Sequence, residues 1–310
     1  MNDIRLNSLG FKENPKDCRV VVAMSGGVDS SVAAALLKNQ GYDVVGVTLQ
    51  LYDNGDFPNK KGTCCAGIDV YDARKVAEKL NIPHYVLDYE TNFKKSVIDD
   101  FANEYVKGRT PIPCVRCNQT VKFKDLLKFA VDIGAKALAT GHYVQRKVLK
   151  NSLELHKGID QTKDQSYFLF ATSKEQLTYL RFPIGEMTKD QTRKLAEKFN
   201  LAVKDKPDSQ DICFVPNGSY SNIVSKLRPE SLLNGEIIHI DGTFLGYHQG
   251  IINFTVGQRR GLGVSEKNPL YVKEIIAGKN RVIVAKKEEV KSSIITVNRL
   301  NLLTDISDLN

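Results

Sequence analysis

Val20-Val21-Val22-Ala23-Met24-Ser25-Gly26-Gly27-Val28-Asp29-Ser30-Ser31 is the stretch whose reading decides the fold. Five apolar residues of strand type run into two glycines, and a helix-type run over 31–40 follows at once. Glycine accepts positive φ and lets another group approach its backbone, and the first amides of a helix have no partner inside it. A strand that turns through Gly26 and Gly27 into a helix start therefore aims N–H groups at an anion, which makes residues 25–30 a phosphate cradle. The common triphosphate loop, GxxxxGK[ST], needs a lysine that does not stand at that spacing here. Asp29 instead supplies a carboxylate of the kind that holds Mg²⁺ on phosphates. As an ordinary strand-to-helix turn, the same letters would read as Asp and Ser caps.

Outward from the cradle, strand and helix patterns alternate. Strands are expected at 20–24, 44–51, 85–87 and 137–139, and helices at 31–40, 70–80, 92–106 and 121–133. Such alternation predicts an α/β fold with a parallel sheet and crossover helices, its ligand lying at the carboxyl ends of the strands. A chain of 310 residues exceeds the usual single domain. Beyond about residue 225 the alternation stops: 236–240, 244–247 and 251–254 read as short strands, followed by the basic turn Gln258-Arg259-Arg260-Gly261. A hairpin is expected over 271–276 and 281–285, turning at Gly278-Lys279-Asn280.

The 44 basic against 36 acidic residues give a net charge of +8, which favours a polyanionic partner. No apolar run reaches the ~18 residues of a membrane span and the polar start lacks a signal-peptide core, so a cytoplasmic protein is expected. Six cysteines in a reducing compartment read as reactive or metal-binding. Two lie in Cys114-Val115-Arg116-Cys117 and a third, Cys213, in Asp208-Ser209-Gln210-Asp211-Ile212-Cys213-Phe214. Pro111 and Pro113 predict an extended loop around the CxxC, and Arg116, Lys122 and Lys124 would lower a thiol pKa there. A structural zinc site wants a second CxxC, which the chain lacks. Three thiolates from Cys114, Cys117 and Cys213 could hold an iron–sulfur cluster, and the spacing leaves that open. Cys64 and Cys65 read as packing residues, Cys18 as inert, and His84, His156 and His239 as structural.

The segment SGGVDSS resembles the signature of the ATP-pyrophosphatase (PP-loop) superfamily, which cleaves ATP between its α- and β-phosphates. RTPIPCVRCNQTVKF (109–123), ATGHY (139–143), KDQSYFL (163–169), DSQDICF (208–214) and GQRRGLG (257–263) follow in order. Together they resemble the tRNA-uridine 2-sulfurtransferase family, over about residues 19–285. The resemblance implies a PP-loop catalytic domain over 18–225 after a polar extension (1–17). A small, β-containing, tRNA-contacting domain would follow over 226–290, and 291–310 would begin a C-terminal β-barrel. It implies 2-thiolation of the wobble uridine in tRNAs for Lys, Glu and Gln. ATP with Mg²⁺ would sit on Ala23, Met24, Ser25, Gly26, Gly27, Val28, Asp29 and Ser30, with its base near Leu49 and Gly141. Cys213 would carry a persulfide sulfur from a donor or relay protein, and Cys117 would release it by forming a Cys117–Cys213 disulfide. His142, Lys163, Asp164, Gln165, Arg259 and Arg260 would contact tRNA. Two positions depart from the family pattern: Ile112-Pro113-Cys114 replaces Asn-Pro-Asp, leaving Cys114 as an auxiliary thiol where a carboxylate is usual, and Gln210-Asp211 replaces Thr-Gly. Two other classes compete, a small-molecule PP-loop ligase that gives the cysteines no purpose and an RNA-binding remnant without ATP turnover.

Overall fold

The computed structural model describes residues 6–52, 67–149, 152–209, 211–215 and 220–304. Cys64 and Cys65 lie outside them. The chain forms two compact units, one from the described residues of 1–94, 114–216 and 301–310, the other from those of 95–113 and 217–300.

The first unit is built on a five-stranded parallel sheet. Its strands are β1 (Arg19–Ala23), β2 (Asp43–Gln50), β3 (His84–Asp88), β4 (Ala137–Ala139) and β7 (Leu180–Arg181), in the order β3-β2-β1-β4-β7. Val20, Val21 and Val22 are fully buried, as a parallel strand covered on both faces requires. Val20 and Val22 share one core with helix α1 (Val28–Asn39) and helix α2 (Gly67–Leu80), through Val32, Ala33, Ala34, Leu37, Ala73, Val76 and Ala77. Small residues along α1 let it lie close to the sheet. The chain grows from β1 through β2 to β3 on one side, then returns to place β4 on the other side of β1. That reversal opens a crevice between the loops that follow β1 and β4, where Val22 is in register with Ala139.

Two further strands, β5 (Val144–Leu149) and β6 (Ser152–Lys157), form an antiparallel hairpin after β4. The sequence reading does not anticipate it. Helical structure begins at Pro113, not at residue 121: Pro113–Cys117 is α-helical, Asn118–Leu126 is π-helical, and Leu127–Asp132 is α-helical again. The extended loop expected around the CxxC is thus a helix start, because proline suits the first helical position, where no N–H is needed. The helix expected over 92–106 likewise carries a π-helical stretch, Lys94–Ile98.

In the second unit, β8 (Asn234–His239), β9 (Phe244–Gln249), β10 (Leu270–Ile276) and β11 (Arg281–Lys286) form a four-stranded sheet in the order β10-β11-β8-β9. The expected β10–β11 hairpin is present, turning through Asn280 at φ +48°. Ile251–Asn253 is a short 3-10 turn and not the expected strand; Gly250 at φ +106° bends the chain out of β9 just before it. Ile237, Val272, Val282 and Val284 make the core of this sheet.

At the edge of the first sheet, Arg181 is buried on β7. Its Nε donates to Leu9 O at 2.8 Å and its Nη1 to Thr178 O and Leu180 O, both at 2.8 Å, while its guanidinium lies over the Phe11 ring. Arg181→Met leaves these buried carbonyls without their donor, so it should cost about 3 kcal/mol of stability in urea denaturation.

Candidate functional site

The loop between β1 and α1 is shaped by what leans on it. Gly26 has φ +71°, and a Cβ there would lie 2.2 Å from Asp69 O at the start of α2. The Ser25 amide donates to Ser30 Oγ at 3.1 Å, and the first intrahelical bond runs from Ser31 N–H to Gly27 O at 3.3 Å. The amides of Val28, Asp29 and Ser30 therefore precede the helical ladder and face the mouth of the loop. Met24 is buried, and both its backbone groups are taken: its N–H by Val47 O at 2.8 Å, its C=O by Thr48 Oγ1 at 2.8 Å. His84 Nε2 meets that same threonine oxygen at 2.9 Å, which makes His84 a buttress of the loop. Leu49 is buried on β2. Gly141, following β4, sits so close that a Cβ would lie 2.5 Å from Ser30 N. The crevice of the strand reversal is thus closed at its floor by glycine against helix start.

Two lysines clamp the loop, and the sequence reading misses both. Lys206 Nζ donates to Gly26 O at 3.0 Å and to Asp69 at 2.6 Å, and also pairs with Asp72. Burial works against its charge, but hydrogen bonds to Asp69 and Asp72 hold its pKa above the ordinary lysine value. Lys189 Nζ lies 2.8 and 2.9 Å from the two carboxylate oxygens of Asp29 and 2.7 Å from Asp208 Oδ1. Asp29 also accepts from Tyr143 OH at 2.8 Å. Burial, then the Asp29 charge, pushes the Tyr143 hydroxyl well above its ordinary pKa. Lys189 opens the helix Lys189–Lys198 behind a Thr188–Gln191 capping box. A cation in the first helical turn opposes the helix dipole. That misplacement is the signal by which the sequence could have exposed its purpose.

Asp208 collects three cations: Lys163 at 2.7 Å, Lys189 at 2.7 Å and Arg193 at 3.3 Å. Despite burial, the hydrogen bonds from Lys163 and Lys189 hold its carboxyl below the usual range. Asp208 begins the segment that ends in Cys213, whose carbonyl accepts from Tyr52 OH at 3.0 Å. Phe93 packs against both Tyr52 and Phe214, with ring centroids 6.3 and 5.8 Å apart.

Cys117 is buried in the first turns of its helix, Cys213 is half-buried, and Cys114 is exposed. The element carrying Cys117 reaches the loop after β4 through Phe123, whose ring packs edge-on against His142, and His142 packs in turn on Phe182. Asn118, next to Cys117, donates to Phe168 O at 3.1 Å in the segment that follows Gln165. Asp164 and Gln165 spend their side chains internally: Asp164 accepts from Gly158 N–H and Ser166 Oγ, and Gln165 Oε1 accepts from Tyr143 N–H. Among the described residues, no group of three or more His, Cys, Asp or Glu side chains is arranged to hold a metal ion. The iron–sulfur site that spacing left open on Cys114, Cys117 and Cys213 is not assembled. In the second unit, Arg259 and Arg260 are exposed on a turn pinned to β10 by bonds from Gly257 N–H to Val272 O and from Val272 N–H to Gln258 O, at 2.7 and 2.9 Å.

A family profile described as the tRNA methyl transferase HUP domain matches residues 18–217, and one described as the tRNA methyl transferase PRC-barrel domain matches residues 221–286. The tRNA-specific 2-thiouridylase of Rhodospirillum centenum is 58% identical, over 98% of this chain and 80% of its own length. That of Ruegeria pomeroyi is 59% identical, over 97% and 80%. The chain belongs to the tRNA-specific 2-thiouridylase family. Membership in the 2-thiouridylase family agrees with the α/β parallel-sheet fold and the glycine loop described above. Among solved structures, an NMN synthetase from Francisella tularensis overlays 68% of this chain and 77% of its own at 17% identity, with a TM-score of 0.39, which adds nothing to the assignment. No helix among the described residues is long and apolar enough to cross a membrane.

Gly26→Ala should weaken binding of a non-hydrolysable ATP analogue at least about tenfold in calorimetry, since a side chain at that φ is strained and meets the Asp69 backbone. Burial, with Lys122 beside it, pushes the His142 imidazole down to about 3. The folded chain therefore resists a proton that the unfolded chain takes near pH 6.5. The stability from the neutral ring is complete above that pH and is lost as pH falls towards 3, at up to about 1.4 kcal/mol per pH unit. Urea denaturation of His142→Gln at pH 7 and pH 5 should show a smaller difference between the two than the wild type.

Proposed function

We propose that this chain thiolates the wobble uridine of tRNAs for Lys, Glu and Gln at C2, using ATP to activate the oxygen and a cysteine persulfide as the sulfur source. The observation that carries the reading is Lys189. One buried ammonium joins Asp29 of the phosphate loop to Asp208, the first residue of the Cys213 segment, so an adenylating part and a sulfur-bearing part share one site. Membership in the 2-thiouridylase family supports the same chemistry.

The nucleotide's phosphates lie on the amides of Val28, Asp29 and Ser30, with Mg²⁺ travelling on those phosphates. The uridine C2 oxygen attacks the α-phosphorus and pyrophosphate leaves, which turns a poor leaving group into AMP. The terminal sulfur of a Cys213 persulfide attacks C2 and expels AMP. The Cys117 thiolate then attacks the Cys213 sulfur, breaking its bond to the transferred sulfur. That sulfur stays on C2 as the thiocarbonyl, and a Cys117–Cys213 disulfide forms. A dithiol reductant resets the pair, and a persulfide-bearing donor protein reloads Cys213. Cys114 stands exposed where the family usually has a carboxylate, as an auxiliary thiol. Lys163, Arg259 and Arg260 meet the RNA backbone, fixing its position without reading its sequence; His142, Asp164 and Gln165 hold the surrounding loops. The profile descriptions speak of methyl transfer, but a loop built for phosphate and two cysteines find their use in sulfur transfer.

Nucleoside mass spectrometry on unmodified tRNA-Lys, incubated with this chain, ATP, Mg²⁺ and a persulfide donor, should give 2-thiouridine and AMP in matching amounts. Cys117→Ser and Cys213→Ser should each abolish the thiolated nucleoside while binding of an ATP analogue survives. Thiolation retained in either variant sinks the role given to that cysteine.

A further inference from the structure

Lys189 is 8% exposed. Its ammonium has three hydrogens, and three carboxylate oxygens lie within 2.9 Å of it: both of Asp29 and Oδ1 of Asp208. Its donor capacity is filled. A phosphate oxygen entering the loop can win a hydrogen from Lys189 only by displacing one of these carboxylates. Asp29 is poorly placed to yield, because it stands in the first turn of a buried helix and also holds the Tyr143 hydroxyl. Asp208 is placed to yield. It lies in irregular chain and keeps two other cations, Lys163 and Arg193, to move towards.

What moves with Asp208 is the connection to Cys213. Arg193 also holds the carbonyls of Lys204 and Lys206, at 2.9 and 3.3 Å, and Lys206 holds Gly26 O of the loop. The stretch 204–208 is therefore bound to the phosphate loop at two places and runs straight into the sulfur-bearing segment. We infer that Asp208 is a positioning residue that couples occupancy of the phosphate loop to the exposure of Cys213: an entering polyphosphate takes Lys189 from Asp208, and the released segment presents the Cys213 sulfur. The inference rests on the reading of the loop as an ATP site. It gives the enzyme an order of events, with the persulfide brought forward once the activating nucleotide is in place.

The test is alkylation of the full chain by iodoacetamide, resolved by peptide mass spectrometry. Exposed Cys114 serves as the internal reference, and calorimetry of a non-hydrolysable ATP analogue with Mg²⁺ is run in parallel. In the wild type, the analogue should raise the Cys213 rate at least about threefold while Cys114 stays constant, as greater access to the thiolate predicts. Asp208→Asn keeps the shape and drops the charge; it should show the fast Cys213 rate without nucleotide, no further rise with it, and analogue binding retained. Lys163→Met removes one of the cations towards which Asp208 withdraws. Asp208 should then hold Lys189 more firmly, and the rise caused by the analogue should shrink. A wild-type Cys213 rate unmoved while calorimetry shows the analogue bound overturns the inference, as does an Asp208→Asn protein that still responds threefold. If Asp208→Asn does not fold, an undiminished response in Lys163→Met overturns it. A wild-type chain that binds no analogue overturns it together with the ATP reading, and calorimetry tells that outcome from the others.

Discussion

An ammonium group sealed from water keeps its charge only where anions replace the lost hydration, and removing one partner of such a group leaves a penalty of several kcal/mol. Lys189 lives under that constraint. It needs a carboxylate from each side, so the phosphate loop and the segment leading to Cys213 cannot separate without stranding a buried charge. Lys206 repeats the arrangement on the far side of the loop, where Asp69 and Asp72 of α2 supply the anions and the loop itself supplies a carbonyl. The glycine loop is therefore stiff where it must be, with its shape set by cations from one stretch of chain, 189–206.

The sheet explains why those cations can meet there. β1 is central and the chain reverses across it, so the loops after β1 and β4 leave the sheet side by side. Everything that touches the crevice arrives from elsewhere in sequence. Tyr143 and Gly141 follow β4, the element of Cys117 reaches the same loop through Phe123 and His142, and the Lys163 segment is fastened to Asn118.

Local patterns were legible in the sequence and distant pairings were not. The β1–α1 loop reads directly, because glycine freedom and the helix start lie within a dozen residues, and the strand–helix alternation gives the parallel sheet. The cysteine-bearing motifs stand out by type. The helix start at Pro113 was missed because proline breaks a helix everywhere except where it sits here. Ile251–Asn253 carries a strand's apolar letters, but the left-handed Gly250 before it turns the chain. Lys189 and Lys206 meet their partners 160 and 180 residues away, and such pairings leave no periodicity behind. His142 reads as a surface contact from its motif, whereas the ring lies between two phenylalanines, a fact that only the packing supplies.

The π-helical stretch Asn118–Leu126 directly after Cys117 carries a consequence for how this enzyme can vary. A wider helical turn accommodates extra residues within the same axial length, and removing one lets the backbone tighten towards the ordinary helix. Each residue removed would swing Cys117 by about 100° relative to the helix beyond Leu126, given 3.6 residues per turn. Side chains in this stretch can be exchanged while the thiol keeps its bearing, but its length cannot change. Over these nine residues, evolution is free to rewrite letters and forbidden to delete them.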